Sequence, residues 1–329
     1  MLTLVNDPRI LRILTFPETD ESAWRKDLDR FMSGDVTLDR KTVGENSVKA
    51  LQRLLIFLGY STSSSGSFSI DGDFGRGTNR GLAQFQFVQG LAPSAITRES
   101  LCYPCNSSNA HKLIDSIPDV HLTIPALERL LTVAQTSIDK GEVMCGSIED
   151  ALFHLNGLHG RKFYDCKSIF DKYGALVRLA TERIQREKGI AIYPAWILSI
   201  IKKETDGVVR PRFEQHYLSK LNSREPTADF RELTFRSMSF GLGQIMGENY
   251  QAIGASSAFR MFTSPLEDQV YYIGKFLLSR RLNNVIAKSN PGEADFREVA
   301  SKYNGPRYEE NHYHESLERW FKEFKLLIN

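Results

Sequence analysis

Glu204 closes a short apolar run, Trp196-Ile-Leu-Ser-Ile-Ile-Lys-Lys-Glu204. Trp196, Ile200 and Glu204 are four residues apart, so a helix places them on one face. A carboxyl on a face that carries Trp and Ile is partly desolvated, and desolvation raises its pKa by disfavouring the charged form. A Glu that stays protonated near neutral pH suits the work of a general acid, the group that cleavage of a glycosidic bond needs. The same Glu beside Lys202 and Lys203 also fits a solvated helix end, where charge is tolerated.

A second stretch, Arg236-Ser-Met-Ser-Phe-Gly-Leu-Gly-Gln-Ile-Met-Gly-Glu-Asn-Tyr250, sets Ser239, Gly241, Gly243 and Gly247 around Phe240 and Gln244. Glycines allow backbone to approach a ligand closely and to take positive φ. Glu204, then Phe213-Glu-Gln-His216, then Ser239-Phe-Gly-Leu-Gly-Gln244, then Tyr303-Asn-Gly-Pro306 come in an order that resembles the N-acetylmuramidase family of phage endolysins and bacterial cell-wall hydrolases. More distantly the order is similar to goose-type lysozymes and soluble lytic transglycosylases. The resemblance covers about residues 190 to 329. It implies that Glu204 protonates the glycosidic oxygen between N-acetylmuramic acid and N-acetylglucosamine. It also implies that Ser239, Gln244, Tyr303 and Asn304, with His216, line the sugar cleft, and that Tyr303 holds Glu204 by its hydroxyl. Family members often have Glu-Ser-Gly-Gly where this chain has Glu204-Thr-Asp-Gly207, so Thr205 puts a branched hydroxyl in place of a small one.

Inverting glycosidases set their two carboxyl groups roughly 6.5–9.5 Å apart to admit a water, and retaining ones about 5–5.5 Å. Glu214 is the first candidate for the base that activates the water, and Asp206 the second. A structural ion pair of Glu214 with Arg210 or Arg212 is the alternative for that acid. Cys102-Tyr-Pro-Cys105 has half-zinc-site spacing, but Cys145 and Cys166 do not make a second such pair. Buried thiols, or a disulfide after delivery to an oxidising compartment, remain open. His216 and the pair His312 and His314 find no third ligand at useful spacing and read as solvated, so no metal or other cofactor is expected.

Helices must position these groups. Pro194 opens the one that carries Glu204, and Asp206-Gly207 breaks it. Ser264-Pro-Leu-Glu267 opens another that runs towards Arg281. Phe296 to Tyr303 is a further helix, and the last includes Leu317, Trp320, Phe321 and Phe324. Upstream, Val48, Leu51, Leu54, Leu55 and Leu58 repeat at helical spacing. A Ser-rich loop, the turn Ile70-Asp-Gly-Asp-Phe-Gly75 and a second helix from Thr78 to Phe87 follow. The wording of this stretch resembles the small three-helix peptidoglycan-binding domain, in which the turn is structural. Asp71 is expected to bond turn backbone, with Gly72 and Gly75 in unusual φ. Near the N-terminus Trp24, Leu28 and Phe31 share a helical face.

The expected fold is mainly α: a small three-helix peptidoglycan-binding domain and a larger lysozyme-like helical domain. The expected boundaries are an extension over 1–45, the binding domain over 46–101, a linker over 102–122 and the muramidase domain over 123–329. With 41% apolar and 25% charged residues, the 329-residue chain can bury a core. A net charge of +2 is too mild to argue for nucleic acid. No run is long enough to span a membrane, and Asp7, Pro8, Arg9 and Arg12 interrupt any secretory signal. The expected protein is a monomer that acts on peptidoglycan in the periplasm or wall. It would reach the wall through a holin as a phage endolysin, or through secretion machinery as an antibacterial effector with a cognate immunity protein. A lytic transglycosylase, and a wall-binding protein without catalysis, are the competing expectations.

Overall fold

The computed structural model describes the chain except residues 1–2, 16–20, 36, 42–43, 161 and 329 and the side chains of residues 21–24, so Trp24 lies outside the described residues. The fold is mainly α. Its contacts divide it into two compact units, Met1–Arg161 with Pro211–Ser239 and Lys162–Arg210 with Phe240–Asn329.

The first unit is built around the helix Glu45–Phe57. Val48, Leu51, Leu54, Leu55 and Leu58 are all buried, as their spacing predicts. The helix is covered on its other faces too, by the helices Pro8–Leu14, Glu21–Met32, Arg76–Val88, Ile124–Asp139 and Ile148–His159. That burial takes in three polar side chains, Ser47, Gln52 and Arg53, and each finds partners inside the unit, Ser47 by donating to Asp27 Oδ2. Arg53 donates to Ile13 O at 2.6 Å and to Asn156 Oδ1 at 2.9 Å. Gln52 knits the 71–75 turn: its Nε2 donates to Asp71 Oδ1 and to Asp73 O, and its Oε1 accepts from the amides of Asp71 and Gly72. Asp71 Oδ1 also accepts from Asp73 N at 3.0 Å, the backbone bond expected of it. Gly72 has φ +78, as a turn of this kind requires. Gly75 does not: it is the extended N-cap of Arg76–Val88, with φ −80 and ψ −168, and a Cβ there would sit 2.7 Å from Asp73 Oδ2.

The third helix, Arg98–Leu101, is four residues long and capped by Thr97. Residues 102–122, loop-like in composition, are folded onto the unit, with Ile114, Ile117, Val120 and Leu122 buried. Asn79 fixes this stretch from both sides, donating to Pro118 O and accepting from Val120 N. The segment Pro211–Ser239 joins the same unit. Arg98 donates to Asn222 Oδ1 and Ala228 O, Gln215 to Leu101 O, and the strand Arg212–Phe213 pairs antiparallel with Met238–Phe240 through Phe213↔Met238 and Arg212↔Ser239.

Close backbone contact holds the Ser-rich loop on the helix Arg76–Val88. A Cβ at Gly77 would lie 2.2 Å from the carbonyl carbon of Ser63 and 2.4 Å from Thr62 O. Gly77→Ala is therefore expected to destabilise the fold by about 1–3 kcal/mol, because overpacking against backbone outweighs the gain of under about 1 kcal/mol in helix propensity. Urea melts check this, and an unchanged midpoint would mean that the loop moves aside freely.

In the second unit the helix Pro194–Thr205 packs between Cys166–Lys188, Leu266–Ser279 and Tyr313–Ile328, and Glu293–Asn304 packs on Tyr313–Ile328. Trp196 is fully buried, its ring 5.0 Å from that of Phe296 and 4.8 Å from that of Phe321. Two of these helices carry clear boundary residues. Asp165 caps Cys166–Lys188, Gly189 ends it in the left-handed region, and Pro194 opens the next. At the start of Leu266–Ser279 the cap position falls to Pro265, while Ser264 Oγ turns back to Arg260 O.

Candidate active site

The helix that carries Glu204 stops because Asp206 takes φ +48 and Gly207 φ +80. Its end is tied down twice. Thr205 Oγ1 donates to Ile201 O and to Leu242 O, so the branched hydroxyl locks the last turn to the Gly241–Gly243 loop. The carbonyl of Asp206 accepts from Tyr164 N at 3.0 Å. Trp196 and Ile200, on the face below Glu204, are fully buried.

Glu204 is half-buried, with protein crowding its carboxyl end. Burial pushes its pKa up to about 7, against the opposing pull of a hydrogen bond from Tyr313 and the charge of Lys203. Tyr313 Oη donates to Glu204 Oε1 at 2.5 Å. The expectation that Tyr303 holds Glu204 is corrected here. Tyr303 Oη donates instead to Gly243 O at 2.7 Å. Gly243 makes that possible, since a Cβ would sit 2.6 Å from the Tyr303 hydroxyl and 2.5 Å from Ile273. Tyr313 opens the last helix and is buried. Burial and the neighbouring carboxylate push both phenols well above the ordinary value of 10.

Lys203 lies beside the acid. Its Nζ donates to Ser316 Oγ at 3.3 Å and sits 5.3 Å from the centre of the Tyr313 ring, and burial lowers its pKa. Tyr313 is the neighbour of Glu204 that sequence reasoning missed, whereas Lys203 entered it only as a mark of a solvated helix end. No spacing rule links Tyr313 to a residue 109 positions earlier.

The other candidates separate by unit. Gln244 belongs with Glu204 in the second unit, at φ +48, and its Nε2 donates to Gly241 O. Asn304 ends the helix Glu293–Asn304 and is exposed. Asp206 is ion-paired to Lys202 across one helical turn. Ser239, Glu214 and His216 belong to the first unit. Ser239 is buried in the strand opposite Arg212. Glu214 has the ion pair that sequence reading held open, with Arg212 Nε at 2.9 Å, and His216 Nδ1 lies 3.5 Å from its other oxygen.

His312 is exposed, but His314 is buried with its ring edge-on to Tyr308, not solvated as expected. The four cysteines are free thiols, and burial pushes those of Cys102 and Cys166 to about 12. Among the described residues no three His, Cys, Asp or Glu side chains converge on a point that could hold a metal ion. No described helix is long and apolar enough to cross a membrane.

The arrangement can deliver a proton near neutral pH from a rigidly held carboxyl to a group lying at the end of the helix Pro194–Thr205. Comparison with known proteins gives two family matches. Residues 229–325 match the family model of N-acetylmuramidase, and residues 44–97 that of the putative peptidoglycan binding domain. Gln244, Tyr303 and Asn304 lie inside the first match, and Glu204 and Glu214 precede it. Among solved structures, the crystal structure of a Burkholderia AP3 phage endolysin is 17% identical and covers 89% of this chain and 98% of that one, with a TM-score of 0.35. No curated protein matches.

Proposed function

We propose, for a chain that carries an N-acetylmuramidase domain and a peptidoglycan-binding domain and so is a peptidoglycan hydrolase, that Glu204 is the general acid of a lysozyme-like muramidase. It would cleave the glycan strand between N-acetylmuramic acid and N-acetylglucosamine. The observation that carries this reading is the buried carboxyl, protonated up to about pH 7, at the end of a helix locked to the Gly241–Gly243 loop. Bond cleavage needs a proton on the leaving oxygen, and a general acid works best with its pKa near the working pH. Gln244 and Asn304 offer amides suited to hydroxyl and N-acetyl groups. Tyr303 supports the loop beneath them through Gly243. Ser239 and His216 are proposed to line the cleft, and Glu214 to activate the water, with Asp206 as second candidate.

One observation favours the lytic transglycosylase as a second reading. The groups that act on the Glu204 carboxyl are Tyr313 and Lys203, and neither is a carboxylate. A single acid suffices when the muramic 6-hydroxyl attacks in place of water. Mass spectrometry of fragments released from defined peptidoglycan decides between the two, because an anhydro end lacks one water. Reducing ends are expected. Zymography on purified sacculi tests the third possibility, binding without cleavage, which a clear lytic band would exclude. Delivery as an endolysin through a holin, or as a secreted effector, belongs to the same proposal.

A further inference from the structure

A carboxyl acid can carry its proton on either oxygen, and only one of the two can face a substrate. In this chain the choice is made by a neighbour. Tyr313 Oη lies 2.5 Å from Glu204 Oε1, and among the described residues that oxygen is the acceptor found for the hydroxyl. The phenol is buried and keeps its proton well above pH 10. If Glu204 instead donated to the phenol oxygen, the phenol proton would be buried without an acceptor, which costs about 1–3 kcal/mol. Oε1 is thus committed to accepting, whether Glu204 is protonated or ionised. Resting on the reading of Glu204 as the acid, we propose that Tyr313 is a positioning residue that confines the transferable proton of Glu204 to Oε2 and takes up the charge left on Oε1 as that proton departs. In the reaction the Oε2–H bond breaks, the proton passes to the leaving glycosidic oxygen, and the negative charge that spreads onto Oε1 meets a donor already in place.

The other groups around this pair are accounted for. Lys203, on the same helix, is held by Ser316 Oγ and Asn311 O, and its charge favours the ionised form of Glu204. Tyr303, on the helix Glu293–Asn304, spends its hydroxyl on Gly243 O. Arg319 and Asp206 act on Lys203. Tyr313 is therefore the hydrogen-bond donor that opposes the effect of burial on Glu204.

The test is the pH profile of kcat/KM for the full chain on a soluble peptidoglycan oligomer. Tyr313→Phe removes the donor and keeps the ring. Its alkaline limb is expected to move to higher pH and its plateau to fall by about 10- to 100-fold, the worth of a hydrogen bond to a charged group. Tyr303→Phe is expected to leave the alkaline limb in place. Incorporating 3-fluorotyrosine at position 313 strengthens the donor without altering the packing, and is expected to move the limb to lower pH. This arm stands even if the Phe variant folds poorly. Alkaline limbs that superimpose for the wild type and both position-313 variants would overturn the proposal. Should Glu204→Gln retain turnover, the acid assignment itself fails. Should that variant be dead while the limbs stay fixed, only the role of Tyr313 fails.

Discussion

Glu204→Gln is expected to fold normally and to lose turnover on peptidoglycan by about 10³–10⁴-fold, the upper range for a general acid. The amide keeps the shape of the side chain, and its Oε1 can still accept from Tyr313 Oη, so the buried hydrogen bond survives. What is lost is the acidic proton. The substitution also changes how stability depends on pH, and the sign follows from the raised pKa. The folded chain holds the Glu204 proton up to about pH 7, whereas the ordinary value is 4.5. The native state thus binds the proton more tightly than the unfolded state. Its contribution to stability is fully present below pH 4.5 and is lost as the pH rises through 7. The loss is about 3 kcal/mol. Gln has no proton to lose, so its stability relative to wild type should climb over that interval and level off above it. Turnover measured beside thermal melts at pH 4, 6 and 8 (about 2 pH steps spanning the transition) checks both halves. A variant that is inactive and shows no such climb would place Glu204 in a wetter setting than this one.

Wild-type activity should carry the same mark, falling as the pH rises through about 7 because the acid form disappears. That expectation was half-visible in the sequence. The spacing of Trp196, Ile200 and Glu204 and the breaker at Gly207 define the helix, its buried face and its end, since all three are local facts about a 3.6-residue repeat. The strength of the burial was not visible, because the packing over the carboxyl comes partly from the last helix of the chain. Tyr313 lay between two histidines that drew attention as metal candidates, while the tyrosine of the Tyr303-Asn-Gly motif seemed the natural partner. Chain order says nothing about which of two phenols a fold brings to an acid. The same limit hid the attachment of residues 211–239 to the first unit. Its bonds run from Arg98 to Asn222 and from Leu101 to Gln215, more than a hundred positions apart. The turn at 71–75 was legible in Asp71 and Gly72, but Gly75 is extended, and the atom a Cβ would meet there is the mobile end of the Asp73 side chain.

The second large effect is expected from Glu214→Gln, a loss of about 10²–10⁴-fold in turnover, the usual worth of a general base, with wall binding largely kept. The reasoning starts from the reaction. Hydrolysis with inversion needs a carboxylate to activate water on the face opposite the acid, and transglycosylation needs none. Asp206 is the weaker candidate, because Lys202 ties its carboxylate back along the helix and its backbone is fixed in the left-handed region. Asp206→Asn should accordingly cost far less. Glu214 has partners of its own in Arg212 and His216, so a purely structural role must be separated from a chemical one. Partly exposed ion pairs contribute little to stability, about 0–1 kcal/mol. A structural role therefore predicts a small shift in the melting curve and near-normal turnover, whereas a base predicts the reverse. The products then complete the assignment. If Glu214→Gln keeps full activity and its fragments carry anhydro ends, Glu204 works alone and the chain is a transglycosylase. If activity is kept with reducing ends, another group activates the water, and Asp206 becomes the first to test: inactivity of the double variant with Asp206→Asn would assign the water to Asp206, alone or interchangeably with Glu214, and its activity would exclude both.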